Sequence, residues 1–369
     1  MNAPAPVWQL LFAPEATAAA LVPVTMRLLT KRGHPLLLLP HTPHLAIRGL
    51  ELYPAQTTRG RLARLLAGWA LQARLPLGIK SVRVNLSPDD SFTRWLASLA
   101  SIAPGILPLF AVLAGNPNSP GQRFILLLFD PAGQPVAVVK AGVSAAAWIL
   151  IEQEQRFLES IQPSTPGIPP LRGIFGNPNV QAMALNFLPG RSPQAKDEHH
   201  LPQVLGNWLR PQQRVVFTDT RIWRELSASS AEHAIYRSLT VAVRHQSSAG
   251  AIVHGDFAPW NVRVSPSGTW MVLDWERGDL NGLPAWDWFH YPIQKSILVQ
   301  RQPVTALVAI TEALLAENTF KAYAEAAGII GHERSLMLLY LLYQAEVIRP
   351  AEGLATTREL LNQLVARWR

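Results

Sequence analysis

The feature of this 369-residue chain that most constrains its fold is the run His254-Gly255-Asp256-Phe257-Ala258-Pro259-Trp260-Asn261, followed by Leu273-Asp274-Trp275-Glu276. Asp256 and Asn261 are five positions apart, and Asn261 and Asp274 thirteen. Between them, the short apolar runs 262–264 and 270–273 flank Ser265-Pro266-Ser267-Gly268, which reads as a β-hairpin. The spacing thus gathers an acid, an amide and a second acid around one hairpin. A carboxylate and an amide oxygen are hard ligands of the kind Mg²⁺ takes, and Mg²⁺ sites use one or two carboxylates together with phosphate oxygens. An alcohol attacking the γ-phosphate of ATP must be oriented and must lose its proton while metal neutralises the phosphate charge. Asp256 can accept that proton, with Asn261 and Asp274 on the metal.

A phosphoryl-transfer site also needs groups upstream that hold the nucleotide. Residues 124–129 and 135–140 are short β-rich runs separated by Asp130-Pro131-Ala132-Gly133, a hairpin pattern. The second run ends on Lys140 as Val136-Ala137-Val138-Val139-Lys140, close to the V-A-I-K strand whose lysine pairs phosphates. Such a lysine is held by a glutamate on the next helix, and the helical pattern over about residues 144–161 offers Glu152, Glu154 and Glu159. The segment 115–121, Gly-Asn-Pro-Asn-Ser-Pro-Gly, reads either as a turn whose N–H groups cover phosphates or as hairpin punctuation.

The pattern from His254 to Asn261, the Leu273-Asp274-Trp275-Glu276 segment and a further acid in Pro284-Ala285-Trp286-Asp287-Trp288 resemble the aminoglycoside phosphotransferase and choline kinase superfamily. Within it, Trp260 and the Asp274-Trp275-Glu276 triplet are most similar to phosphotransferase-like proteins found with bacterial surface-polysaccharide genes. The resemblance implies an α+β, two-lobed protein-kinase-like fold, with a small antiparallel β lobe and a mostly helical lobe. To these the present chain adds an N-terminal α/β region. The expected divisions are residues 1–105, a nucleotide-binding β-rich lobe over 106–185, and a helical catalytic lobe over 186–369. It further implies ATP and Mg²⁺ as cofactors and a small-molecule hydroxyl, such as a sugar or glycolipid precursor, as acceptor.

Carried over residue by residue, the resemblance makes Asp256 the catalytic base and Asn261 and Asp274 the Mg²⁺ ligands. It makes His254 a structural member of the catalytic loop, although His is also the commonest general base. Asp287 becomes the buried acid that braces the loop through backbone N–H groups. Glu154 is the partner of Lys140, and Leu185, Asn186 and Phe187 form the hinge strand that would hold adenine. Glu276 reads as a metal ligand or a group behind the metal, as in the similar Asp-Phe-Glu of choline kinases, or as an exposed acid. Acceptor-side candidates are Arg191, Arg277, Trp286, His290 and Tyr291.

Charge sets the first part of the chain apart. Residues 1–100 hold eleven Lys or Arg against four Asp or Glu, and so contribute seven of the eight net positive charges. Within residues 58–74, Leu62, Leu65, Leu66 and Trp69 follow helical spacing among Arg59, Arg61, Arg64 and Arg74. This reads as a basic amphipathic helix for an anionic membrane surface, or as a core-facing helix with a solvated basic side. No recognised fold accompanies the charge, so no specific nucleic-acid partner is expected. Residues 7–12, 36–39 and 82–86 read as strands, and 232–246, 305–326, 333–348 and 356–368 as helices. Residues 95–122 carry no charged side chain, but Pro104, Gly105 and Pro108 interrupt them, which favours a buried loop and a lobe strand over a membrane span.

The absence of cysteine excludes disulfides, thiol catalysis and Cys-ligated zinc. No secretory signal pattern opens the chain, and ATP dependence makes the cytoplasm the expected compartment, with peripheral contact to the inner face of the membrane. The alternative is a catalytically inactive nucleotide-binding or membrane-docking scaffold. The presence of Lys140, Asp256, Asn261 and Asp274 together argues against it. A protein Ser/Thr kinase is disfavoured because no A-P-E segment follows Asp274.

Overall fold

The computed structural model describes residues 7–12, 20–31, 33–53, 58–73, 75, 79–116 and 121–368. The chain divides into two compact units, one formed by Met1–Ser160 and Pro169–Pro189, the other by Ile161–Ile168 and Gly190–Arg369.

The first unit is built on an antiparallel sheet. In chain order its strands are β1 (Val22–Lys31), β2 (His34–Pro40), β3 (Lys80–Leu86), β4 (Leu109–Ala114), β5 (Phe124–Phe129), β6 (Pro135–Gly142), β7 (Leu171–Gly176) and β8 (Gln181–Asn186). Their spatial order is β3-β1-β2-β4-β5-β6-β8-β7. Its helices are α1 (Pro43–Gly49), α2 (Thr58–Gln72), α3 (Ser91–Leu99) and α4 (Ala145–Ser160). The unbroken apolar run of β5 has a simple cause: the strand is central and both faces are covered. Phe124, Leu126 and Leu128 enter a core with Phe92, Leu96 and Phe110. Leu127 and Phe129 point the other way, to Leu39, Leu45 and Leu50, as the two-residue period of a strand requires.

Two expectations change here. Strands β1–β3 do not form a region of their own, because Leu37 and Leu38 of β2 pair with Leu113 and Val112 of β4. The expected boundary at residue 105 therefore falls inside one sheet-forming unit. Val7–Phe12 is a 3-10 turn rather than a strand. It buries Trp8, Leu11 and Phe12, spaced three and four apart, against the first core, with Phe12 stacked on Phe110 at 5.1 Å between ring centres. The β5–β6 hairpin closes through Asp130, whose Oδ1 accepts from the Gln134 N–H at 2.7 Å, and through Gly133 at φ +76°.

The second unit holds a three-stranded antiparallel sheet, β9 (Leu209–Val216), β10 (Ser247–Val253) and β13 (Asp279–Gly282), in the order β13-β10-β9, and the hairpin β11 (Val262–Val264) with β12 (Trp270–Val272). Around them lie α5 (Leu201–Asn207), α6 (Arg221–Ser230), α7 (Ala234–Val243), α8 (Trp286–Gln294), α9 (Val304–Ala316), α10 (Asn318–Ala327), α11 (Glu333–Tyr343) and α12 (Leu354–Trp368). The pattern expected as one helix over 305–326 breaks at Glu317, whose backbone is extended. The second piece then sets Phe320 and Tyr323 against Trp288, with ring centres 5.6 and 4.9 Å apart. Helix α8 contains Pro292 and passes into a π-helical turn at Lys295–Val299; a proline removes a helical N–H and loosens the ladder around it. Among the described residues, no helix is long and apolar enough to cross a membrane.

Candidate active site

The segment after β10 is pinned at two successive backbone N–H groups. Asp287, on the first turn of α8, accepts the N–H of His254 at 2.6 Å on Oδ2 and the N–H of Gly255 at 3.0 Å on Oδ1. Gly255 has φ +79°, and a Cβ there would stand 3.0 Å from Arg277 Cβ and from Arg277 O. The turn therefore requires glycine on both conformational and steric grounds. Burial drives the Asp287 carboxyl up to about 6 against the two backbone N–H groups that favour its charge.

His254 is fully buried and uses both ring nitrogens on backbone. Its Nδ1 faces the Asp256 N–H at 3.2 Å and so must accept. The proton is then on Nε2, which donates to Leu273 O at 2.8 Å. Burial pushes the ring down to about 4, and it packs edge-to-face with Trp275, ring centres 4.6 Å apart. Neither nitrogen is left to act on a substrate. The ring instead ties the loop to the residue before Asp274, and the Leu273 N–H completes the link by donating to Asn261 O at 2.7 Å.

Asp256 is held on both carboxylate oxygens. Asn261 Nδ2 donates to Asp256 Oδ2 at 3.0 Å and to Asp256 O at 2.8 Å. His290 Nε2 donates to Oδ1 at 3.2 Å. Burial alone would raise this carboxyl, but the hydrogen bond and electrostatic attraction to His290, with a smaller contribution from Arg277, outweigh it and hold the group below the usual value. A third of the side chain remains exposed. Behind His290, Tyr340 Oη lies 3.2 Å from Nδ1 and accepts from Gln294 Nε2 at 3.3 Å. The tyrosine proton is thus directed at the ring.

The donor set fits a hard divalent ion. Because Asn261 Nδ2 is committed to Asp256, its Oδ1 is the atom available for a cation. Asp274 sits at φ +72°, a left-handed backbone unusual outside glycine, two residues beyond β12 and next to the Leu273 link. An amide oxygen and a carboxylate on one hairpin match the protein share of a Mg²⁺ site that is otherwise filled by phosphate and water. Trp275 beneath is fully buried and donates to Val272 O at 2.7 Å.

In the first unit, Lys140 lies in the second half of β6 and Glu154 on α4. Lys140 Nζ meets Glu154 Oε1 at 2.7 Å and Oε2 at 2.6 Å, with Glu154 fully buried. Glu152 pairs instead with Arg156 at the surface. In β8, Leu185 and Asn186 pair with Val138 and Ala137. The Phe187 N–H donates to Val136 O at 3.1 Å, so its donor is committed to the sheet. The segment 115–121 joins β4 to β5, and its first glycine is forced, since a Cβ on Gly115 would stand 2.4 Å from Arg123 O. Residues 117–120 lie outside the described residues.

Among the acceptor-side candidates, His290 is against Asp256 and Arg277 is against Gly255. Arg191 instead makes a bidentate pair with Asp197 at 2.6 and 2.9 Å, which holds that carboxyl well below its usual range. Trp286 and Tyr291 are buried in the helical core. Tyr340 stands on α11, and no sequence signal joins it to the loop. His290 did carry a signal, because it follows Asp287 by three positions and so shares its helix face.

No protein-family model matches the chain, and no curated protein matches its sequence. Its structure is similar to that of a candidate aminoglycoside phosphotransferase from Ralstonia eutropha, with a TM-score of 0.50 and 15% identity over 75% of this chain and 95% of that one. Weaker likenesses include aminoglycoside phosphotransferase APH(4)-Ia in complex with ADP and hygromycin B (TM-score 0.46, 14% identity, 74% and 97% covered). Another is a candidate fructosamine-3-kinase from Haemophilus somnus (TM-score 0.45, 14% identity, 74% and 97% covered). With its antiparallel sheet and its helical unit around the hairpin, the chain has the protein-kinase-like α+β fold of aminoglycoside phosphotransferase structures.

Proposed function

We propose that the chain is a Mg²⁺-dependent phosphotransferase that moves the γ-phosphoryl group of ATP to a hydroxyl of a small molecule. The observation that carries this reading is the closed set of bonds joining Asp256, Asn261 and Leu273-Asp274 through His254, with Asp287 bracing the turn. Asp256 is the base. It is held below the usual carboxylate range and takes the proton of the acceptor hydroxyl as the oxygen attacks. His290 and Asn261 aim its two oxygens, and Tyr340 fixes the His290 ring. Asn261 Oδ1 and Asp274 hold Mg²⁺, which when bound neutralises charge on the phosphates.

Lys140, locked by Glu154, pairs phosphate oxygens of the nucleotide. Leu185, Asn186 and Phe187 form the strand along which adenine lies, with the Phe187 carbonyl rather than its N–H as the contact from that residue. The polar groups around Asp256 suit a polyol, so a sugar or glycolipid precursor is the acceptor class. ATP dependence fits work in the cytoplasm.

Calorimetric titration with ATP tests the donor half. Wild type should bind ATP with Mg²⁺ present and weakly without it, and Asp274→Asn should lose the Mg²⁺ dependence. Binding that is absent, or equally strong in chelator, would refute the assignment.

A further inference from the structure

Helix α2 turns its apolar stripe away from its own unit. Leu62, Leu65, Leu66 and Trp69 are 57, 70, 56 and 63% exposed, although their spacing of three and four is that of a core-facing side. The opposite side packs inward: Ala70 and Leu71 are buried, Leu71 in the core with Leu50 and Leu45 of the α1 segment. The core-facing reading of this stripe is therefore corrected, because the side of α2 that packs inward is the one carrying Leu71.

An exposed apolar patch of four large side chains marks an interaction surface. Its charge selects the partner. The helix carries Arg59, Arg61 and Arg64 and no acid, Arg61 is exposed beside the stripe, and residues 1–100 hold seven of the eight net positive charges. Anionic lipid attracts basic residues near its surface, leucines enter the headgroup boundary, and tryptophan favours that interface. A second copy would bring two basic helices together, which like charge opposes.

We propose that α2 docks the protein on an anionic membrane surface, with Leu62, Leu65, Leu66 and Trp69 inserted at the headgroup level and Arg61 against lipid phosphate. This surface belongs to the first unit alone and does not depend on the phosphoryl-transfer assignment.

Flotation of the full chain with phosphatidylcholine vesicles, with and without phosphatidylglycerol, tests it. Binding is expected only with phosphatidylglycerol, and it should weaken as salt rises. Arg61→Gln should lower the partition coefficient roughly fivefold, and Leu65→Gln with Trp69→Gln should reduce it to background. These side chains are mostly exposed, so the variants should keep the wild-type melting curve. Three results would overturn the proposal: no flotation of wild type, equal flotation with neutral vesicles, or flotation unchanged in the double variant. A dimer in sedimentation that the double variant breaks, without vesicle binding, would assign the stripe to a second copy instead.

Discussion

His290 Nε2 lies 3.2 Å from Asp256 Oδ1, joining α8 to the loop after β10 across thirty-four residues of sequence. The contact is backed by Tyr340 and Gln294, so the proposed base is oriented by a chain of buried polar side chains. In the proposed reaction the ring acts through Asp256 and is therefore a positioning residue. His290→Ala should lower kcat roughly tenfold to a hundredfold while leaving the KM for ATP nearly unchanged, within the range that a well-placed base contributes. His290→Gln should restore part of the rate, since its amide can still donate. A KM effect without a kcat effect would place His290 in nucleotide binding instead.

The Lys140–Glu154 pair gives a stability prediction separate from activity. Lys140→Met takes the ion-pair cation away from a fully buried carboxylate, at a cost of about 3–5 kcal/mol. Lys140→Met combined with Glu154→Leu should regain most of that stability, read by urea unfolding, while ATP binding stays lost. Recovery of binding in the double variant would remove Lys140 from the nucleotide site.

Asp287→Ala should be costly for a different reason. It leaves the N–H groups of His254 and Gly255 buried and unpaired, which costs roughly 2–4 kcal/mol for two orphaned donors. Hydrogen exchange at those two amides should accelerate more than at the amides of β9.

Acid behaviour follows from two buried groups with opposite signs. His254 titrates near 4 in the folded chain against 6.5 when unfolded, so the unfolded state binds the proton first and stability is lost as pH falls through that window. Asp287 titrates near 6 against 3.8, so the folded state keeps its proton longer and stability is lost as pH rises from about 4 to 6. In the wild type the two offset each other. Denaturant midpoints should fall with rising pH over that window in His254→Gln, and fall with dropping pH in Asp287→Asn. Identical profiles in both variants would contradict the assignment.

Much of this site was legible in the sequence, and the reason is local. The bonds from Asn261 to Asp256 and to Leu273 run within one loop and hairpin of twenty residues, so spacing along the chain determines them. Lys140 and Glu154 were readable because a strand passes directly into a helix. The π turn after Pro292, the break at Glu317 and the Tyr340 contact depend on how distant helices pack, which no periodicity encodes. The single sheet shared by β2 and β4 was missed for the same reason: two short stretches of apolar residues identify strands but not neighbours. The outward stripe of α2 shows the limit of amphipathic spacing, which finds an apolar face and does not say what lies against it.

In the proposed reaction Asp256 serves a transfer from ATP to a small hydroxyl acceptor. The most direct measurement incubates the protein with γ-³²P-ATP, Mg²⁺ and fractionated small-molecule extract, comparing wild type with Asp256→Asn. A labelled acceptor should form with wild type and drop by roughly 10²–10⁴-fold in the variant, which should still bind ATP. Label that forms equally in both would contradict the role of Asp256, and no labelled fraction with wild type would contradict the transferase itself.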